Sequence, residues 1–352
     1  MPTSRELVAA ALRREQPDRV PYCEVYVSRS FVTPLMGWDP PTTAKANFEG
    51  NEFTIDEYKA VAERLGLDNI TFVLRAPVYS EIVPGDHDTL FYTRGLIRSA
   101  ADVETILLPD PDDDALYEGA ASFARDRGDY SAWFITRHGI SPTMLSMGIE
   151  EFSVALYDDR RLVERILDLY VDWIEVVAER ASRLGFDAFV TTDDIAFNNG
   201  PFFSPQIFRE LVLPRFVRVA KRISIPWVFH SDGNVTPLLD DLAAVGIAAI
   251  HPVEPAAMDI RQVKRTYGDR LCLIGNVDMN LLSLGTADEV EETVRGLIYD
   301  LAPGGGYIVS SGNSLAHYCR PENVLAMSGA VRRYGGEQLP QTIATAPRRS
   351  AP

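Results

Sequence analysis

The sequence predicts an α/β fold: a (β/α)8 barrel with an N-terminal helical extension and a β-hairpin inserted after the second strand. Three observations predict it. Short apolar, β-branched runs alternate with segments of helical periodicity, the pattern of parallel strands joined by crossover helices. There are eight such runs, the number that closes a barrel of this type. The chain has 352 residues, 46% of them hydrophobic, which is enough to fill the barrel and cover it with helices. The competing arrangement is an open doubly wound sheet. It is disfavoured because no Gly-rich nucleotide loop follows the first strand.

The elements follow in order. The opening "MPTSRELVAAALRREQPDRVP" reads as a charged amphipathic helix stopped by Pro. It lacks the uninterrupted apolar stretch of a signal peptide. The strand-like runs are 19–27, 69–75, 132–138, 188–194, 227–233, 248–255, 272–278 and 307–313. Between the later ones lie helical segments. The run 158–185 has apolar residues at helical spacing and stops at Gly185. The run 204–223 opens with Ser204 as N-cap and Pro205 at the first helical position, and 236–246 repeats that opening with Thr236 and Pro237. The runs 286–306 and 320–336 complete the set. Residues of about 76–115 break the repeat and read as a hairpin, a short helix and a Pro/Asp loop, an insertion over one end of the barrel. The expectation is one barrel domain over 1–340 and a loose tail over 341–352.

Composition narrows the function. A formal net charge of −16 argues against nucleic-acid binding, which needs a basic surface to meet phosphates. No apolar run reaches the ~18 residues of a membrane span. Three scattered cysteines, Cys23, Cys272 and Cys319, make no disulfide framework and point to a reducing, cytoplasmic setting. Cys272, in mid-strand, reads as a small core hydrophobe.

In such a barrel the active site forms at the carboxyl ends of the strands. Those ends carry Arg29, Arg75 and Arg137 on the first three strands. Asp193, Asp194 and Asn198 follow the fourth, His230 and Asp232 the fifth, His251 and Glu254 the sixth, Asn276 and Asp278 the seventh, and Asn313 the eighth. Side chains alternate along a strand, so only one of Asp193 and Asp194 faces the pocket and the other caps a helix or lies under a loop. His230 and Asp232 are two apart and face the same way, though "HSDG" could also be a plain surface turn. His251 lies inside its strand and reads as a hydrogen-bonded core residue. His87 and His317 lie in loops. The expected catalytic groups are His230, Asp232, Asp194 and Glu254. The expected substrate-binding groups are Arg29, Arg75, Arg137, Asp193, Asn198, Asn276, Asp278 and Asn313. His-x-Asp could supply a nitrogen and an oxygen to a zinc ion, with Glu254 or Cys319 as a third ligand. The alternative is that His230 is a general base or donor oriented by Asp232 or Asp194.

The run "VFHSDGNVTPLLDDLAAVGIAAIHPVEPAAMDIRQVKRTYGDRLCLIGNVD", followed by "GGGYIVSSGNS" and "RPENVLAM", resembles the uroporphyrinogen decarboxylase superfamily. The opening "LRREQPDRVP" and the hairpin followed by "LLPDP" resemble it too, so the likeness covers nearly the whole chain. It implies a (β/α)8 TIM barrel, often a homodimer. It also implies one of two activities: decarboxylation of the acetate arms of uroporphyrinogen, or methyl transfer to or from a corrinoid cobalt, with the corrinoid often on a partner protein. The decarboxylase branch has an Arg-Gln-Ala-Gly-Arg loop after the first strand and a pyrrole-binding Asp after the second. Here the chain reads "VSRSFVTP" and "FVLRAP", and the guanidinium of Arg75 is donor-only and cannot accept a pyrrole N–H. The coenzyme M branch binds zinc through His-x-Cys and a later Cys. Here His230 fits the His, Asp232 stands in the first Cys place, and Asn313 or Ser314 falls near the second. Carboxylate in place of thiolate makes a harder site. The expectation is methyl transfer from a methoxy-type donor to a corrinoid. The alternatives are a decarboxylase or lyase acting on a tetrapyrrole or small polycarboxylate, and a non-catalytic corrinoid-binding or tetrapyrrole-binding protein.

Overall fold

The structure is a computed structural model and describes residues 2–39, 50–85 and 90–336. The expected tail over 341–352 and His87 lie outside the described residues. The strands are β1 (Asn69–Val73), β2 (Ser80–Pro84), β3 (Leu90–Gly95), β4 (Ser131–Thr136), β5 (Ala188–Thr192), β6 (Ala196–Phe197), β7 (Gly200–Pro201), β8 (Trp227–His230), β9 (Ala249–His251), β10 (Cys272–Ile274) and β11 (Tyr307–Ile308). Seven of them form one sheet in the order β1-β4-β5-β8-β9-β10-β11, and every neighbouring pair is parallel. That order follows the chain, as expected when each crossover is a helix packed on the outer face.

The sheet curls around an apolar interior. Val73, Trp133, Ile135, Val190, Val228, Ala249, Cys272, Ile274 and Ile308 meet there, at the two-residue spacing of strands that point alternate side chains inward. Cys23 and Val25 join them from the segment that precedes β1. Val8, Ala11 and Leu12 of the N-terminal helix Ser4–Leu12 plug the far end. That helix starts with a capping box between Thr3 and Glu6, so its charged first turn is satisfied before its apolar face docks.

The expected first strand is a chain of single bridges rather than a continuous strand. Tyr22 pairs with Val309 and Val27 with Leu315, both parallel, on the β11 side. On the β1 side a side chain replaces the ladder. Asn69 Oδ1 accepts the Glu24 N–H at 3.0 Å, and Asn69 Nδ2 donates to the Glu24 carbonyl at 2.8 Å. Pro21 has no N–H to offer a ladder. Asp68, almost fully buried, fixes the same seam. It accepts the Tyr22 N–H at 2.9 Å, the Ser4 hydroxyl at 2.6 Å and two guanidinium N–H groups of Arg19.

Two further departures have local causes. The helix expected over 204–223 is interrupted: Pro205–Ile207 and Leu213–Ala220 are α-helical, but Phe208–Val212 is a π-turn. Pro214 has no N–H for an α-helical bond, which accounts for a widened turn just before it. The antiparallel pair β2–β3 lies between β1 and β4 in the chain. Its base approaches the helix Ile140–Met147 so closely that a Cβ on Gly95 would sit 2.0 Å from the Met147 carbonyl carbon.

Replacing Asn69 by Leu should open the seam. It leaves a buried N–H and a buried C=O without partners, at about 1–3 kcal/mol each. A fall of that size in unfolding free energy, with faster hydrogen exchange at the Glu24 amide, is the expected result. An unchanged urea midpoint would show that the seam does not depend on this amide.

Candidate active site

The carboxyl ends of the parallel strands surround a cavity of about 240 Å³. Arg75 follows β1, Arg137 follows β4, Thr192 and Asp194 end β5, His230 and Asp232 end β8, and Asn313 and Ser314 follow β11. Tyr26 and Val25 enter from the segment before β1, and Ile135 and Leu145 supply further apolar wall.

Strand register makes the centre. Thr192 is the partner of His230 in the β5–β8 ladder, and His230 is the partner of His251 in the β8–β9 ladder, so the three side chains form one inward layer. The two imidazoles stack with centroids 4.9 Å apart and share a hydrogen bond between their Nδ1 atoms at 2.7 Å. This leaves His230 Nε2 facing the cavity, 3.6 Å from Asp194 Oδ1 and 3.8 Å from Asp232 Oδ1. One nitrogen and two carboxylate oxygens lie within 4.8 Å of one another, a group that could hold a cation. The turn "SDG" is held from both sides. Asp194 accepts the Asp232 N–H at 3.0 Å, and Glu254 accepts the Gly233 N–H at 2.7 Å. Gly233 has φ +79°, and a Cβ there would meet the Ala196 carbonyl oxygen at 2.5 Å, so only glycine fits.

The electrostatics are those of a half-closed pocket. Burial pushes Asp232 up to about 8, and the charges of Asp194 and Glu254 add to that. Asn313 Nδ2 donates to Asp232 Oδ2 at 2.6 Å, while Oδ1 is buried without a hydrogen-bond partner among the described residues. Burial lowers both His230 and His251, so the pair stays neutral in the fold. Arg75 donates to the Thr192 hydroxyl at 2.8 Å, and Arg137 lies over the ring of Tyr92 from β3, 5.7 Å from its centroid.

Residues 96–334 match the family described as Uroporphyrinogen decarboxylase (URO-D). The chain belongs to the uroporphyrinogen decarboxylase family. Among its relatives, a uroporphyrinogen decarboxylase from Alkalilimnicola ehrlichii is 26% identical over 67% of this chain and 67% of its own length. The methylcobamide:CoM methyltransferase MtaA from Methanosarcina barkeri is 25% identical over 49% of each chain, so this chain spans about half the length of that relative. A solved structure of a methyltransferase from Methanosarcina mazei has a TM-score of 0.76 and 22% identity. It covers 95% of this chain and 99% of its own, a likeness of fold. The family therefore includes decarboxylases and methyltransferases, and the reaction has to be read from the site.

Within this URO-D fold the expected site residues divide. His230, Asp232, Asp194, Arg75, Arg137 and Asn313 come together around the cavity. The others make the following contacts within the fold. Asp193 is fully buried and accepts the N–H groups of His138, Gly139 and Ser141, capping the helix Ile140–Met147. Arg29 binds Glu57 at 2.9 Å and the Glu52 carbonyl at 2.9 Å, and its guanidinium lies over Trp38. Asp278 caps the helix Met279–Leu284. Asn276 donates to the Val253 carbonyl at 2.6 Å. Asn198 is exposed in the turn between β6 and β7. Glu254 supports the turn through the Gly233 N–H, and its charge acts on His230 and Asp232. None of the three cysteines is among the residues that line the cavity. Sequence reasoning missed Tyr26 and Thr192, which carried no distinguishing pattern at their strand ends.

His138 is fully buried between Phe216, at 3.9 Å ring to ring, and Trp227. Burial lowers it to about 3 from the usual 6.5. The unfolded chain therefore takes up a proton between those values that the fold refuses. Stability is fully present above the unfolded value and is lost as pH falls through that window, by on the order of 5 kcal/mol for this residue. His138→Phe keeps the stack and should flatten that part of the stability–pH curve. An equal slope in wild type and variant would place the acid sensitivity elsewhere.

Proposed function

We propose that this protein transfers a methyl group from the oxygen of a small methoxy-type substrate to a corrinoid carried on a separate protein. The reading is carried by one observation: the Asp194, His230 and Asp232 cluster, one nitrogen and two carboxylate oxygens with no thiolate, at the base of an arginine-lined cavity. A methyl group leaves oxygen readily only if that oxygen is met by a proton or a cation as the bond breaks. A thiol acceptor would instead need a soft, thiolate-bound zinc, and the residues here do not fit that ion. They fit a harder cation. The buried, unpartnered Oδ1 of Asp232 is an oxygen that such an ion would satisfy, with His230 Nε2 and Asp194 Oδ1 beside it. A cation held there would act as a Lewis acid on the substrate oxygen. A corrinoid supplies the electron pair that takes the methyl group. The corrinoid acceptor is supported by the chain's likeness to the relative named methylcobamide:CoM methyltransferase.

The chain's own residues provide the rest. Arg75 and Arg137 are forked donors suited to a carboxylate on the substrate. Val25, Ile135 and Leu145 give it an apolar seat. The cavity is smaller than the ~300–1,000 Å³ of ordinary ligand sites. That suits a small aromatic or aliphatic acid better than a tetrapyrrole, as does donor-only Arg75 where a pyrrole needs an acceptor. The paired arginines also favour a second reading, decarboxylation of a small polycarboxylate.

Wild-type protein should move methyl groups to cob(I)alamin from a panel of methoxylated carboxylic acids. His230→Ala should lower that rate by at least about 100-fold. Asp232→Asn keeps the side chain's shape and removes one hard ligand. Equilibrium dialysis against Mn²⁺ or Zn²⁺ should find affinity at least about tenfold weaker. Carbon dioxide release from tri- and dicarboxylates without methyl transfer would replace the first reading by the second. Metal affinity and pH–rate profile both unchanged in Asp232→Asn would remove Asp232 from the site.

A further inference from the structure

Behind the cavity lies a line of buried polar groups that ordinary core packing does not require. His230 Nδ1 meets His251 Nδ1 at 2.7 Å, His251 Nε2 meets Ser310 Oγ at 3.2 Å, and Ser310 Oγ donates to Glu24 Oε2 at 3.3 Å. Ser311 also serves Glu24, through its hydroxyl at 2.6 Å and its N–H at 3.0 Å. Glu24, His251, Ser310 and Ser311 are completely buried. A carboxylic acid at the centre of a fold is costly unless it has work to do or several donors, and this one connects by three hydrogen bonds to the proposed catalytic imidazole.

With every bond of this line kept, its protons can point in two directions. With Glu24 ionised it accepts from Ser310. The Ser310 oxygen then accepts from His251 Nε2–H, and His251 Nδ1 accepts from His230 Nδ1–H. The remaining nitrogen of His230, Nε2, must then present a lone pair to the cavity. With Glu24 protonated toward Ser310, every bond of this line reverses, while the Ser311 N–H still donates to Oε1. Glu24 donates to Ser310, Ser310 to His251 Nε2, and His251 Nδ1–H to His230 Nδ1, so His230 carries its proton on Nε2. The two states differ by one proton. It enters at His230 Nε2 as the Nδ1 proton passes to His251, the Nε2 proton of His251 passes to Ser310, and that of Ser310 passes to Glu24. Both imidazoles are neutral before and after, in keeping with their burial.

We infer that Glu24 is a positioning residue that sets, through Ser310 and His251, whether His230 offers the cavity a lone pair or an N–H. The inference deepens the proposed methyl transfer, and rests on that reading for its consequence. The lone-pair form can bind a cation, and the N–H form can protonate a departing oxygen.

The environment of Glu24 makes the exchange accessible. Burial raises it to about 7, against the lowering effect of its bonds from Ser311 and Ser310. The titratable side chains that feel its charge are Tyr22, Cys23, Tyr58 and Cys319, and burial raises all four, so they stay neutral and supply no counter-charge. At the other end, the charged groups acting on His230 are Asp194, Arg75, Asp193 and Glu254, with Asp232 alongside.

The test is ¹⁵N NMR of histidine-labelled full-length protein, with His230 assigned by loss of its signals in His230→Gln. In wild type the His230 proton should move from Nδ1 to Nε2 as pH falls through neutrality. In Glu24→Gln, whose amide can donate to Ser310 at any pH, it should stay on Nε2 throughout. In Ser310→Ala, which cuts the line but leaves Glu24 in place with both its bonds from Ser311, the pH dependence should vanish. The wild-type exchange should persist in Asp232→Asn, which removes the neighbouring carboxyl. At alkaline pH, Zn²⁺ affinity of Glu24→Gln should be about 10–100-fold weaker. A wild-type tautomer that does not change with pH, or one that changes equally in Glu24→Gln and Ser310→Ala, would overturn the inference. The tautomer readout needs neither corrinoid nor methyl donor. Absence of methyl transfer with an intact tautomer exchange would therefore sink the functional reading and leave this one standing.

Discussion

A parallel sheet curled around an apolar interior has two edges, and both need partners. Here both edges are held to one short segment, 20–28, which is too irregular to be a continuous strand. Its backbone bridges Val309 and Leu315 on one side. On the other it is gripped by the amide of Asn69 and the carboxylate of Asp68. Each bond is buried, so each would be costly to leave unmade. The rest follows from this seam. It brings Tyr26 to the cavity wall, seats Cys23 and Val25 in the interior, and carries Glu24 to Ser310 and Ser311.

The site is organised by burial more than by net charge. The chain carries −16, yet two arginines line the cavity and the histidines at its base are kept neutral by their surroundings. Carboxyl groups concentrate on one side, at Asp194 and Asp232, and guanidinium groups on the other, at Arg75 and Arg137. On the proposed function, a small anionic substrate is oriented by that division, its acid toward the guanidinium groups and its reacting end toward the imidazole. The pair β2–β3 contributes Tyr92 against Arg137, and so connects a segment outside the seven-strand sheet to the cavity wall.

Family membership by itself leaves the chemistry open, because decarboxylases and methyltransferases share the fold. The substitutions at the strand ends narrow it. Arginine at position 75 cannot serve a pyrrole, and aspartate at position 232 makes the centre hard where a thiol-activating zinc site is soft.

The sequence by itself determined the strand order, the N-terminal helix, the helices that follow the fourth, fifth, seventh and eighth strand-like runs, and the part of the site that strand ends declare. Periodicity marks strands and helices because burial selects every second or every third to fourth residue, and polar residues that close an apolar run are visible as such. His230, Asp232, Asp194, Arg75, Arg137 and Asn313 were legible for that reason. Alternation also said that one of Asp193 and Asp194 must turn away, but a strand's facing depends on its neighbours' register, and only the structure chose Asp193 for the helix cap. Arg29, Asn276 and Asp278 read as site residues because a polar side chain at a strand end looks the same whether it meets a ligand, caps a helix or binds a carbonyl. The link from Glu24 to His230 could not be read at all. Glu24 and Ser310 lie 286 residues apart and touch only where the edges of the sheet meet segment 20–28. His230 and His251 meet only because two strands pair in one register. Those contacts belong to tertiary structure, since no local preference of the chain encodes which distant residue will stand opposite.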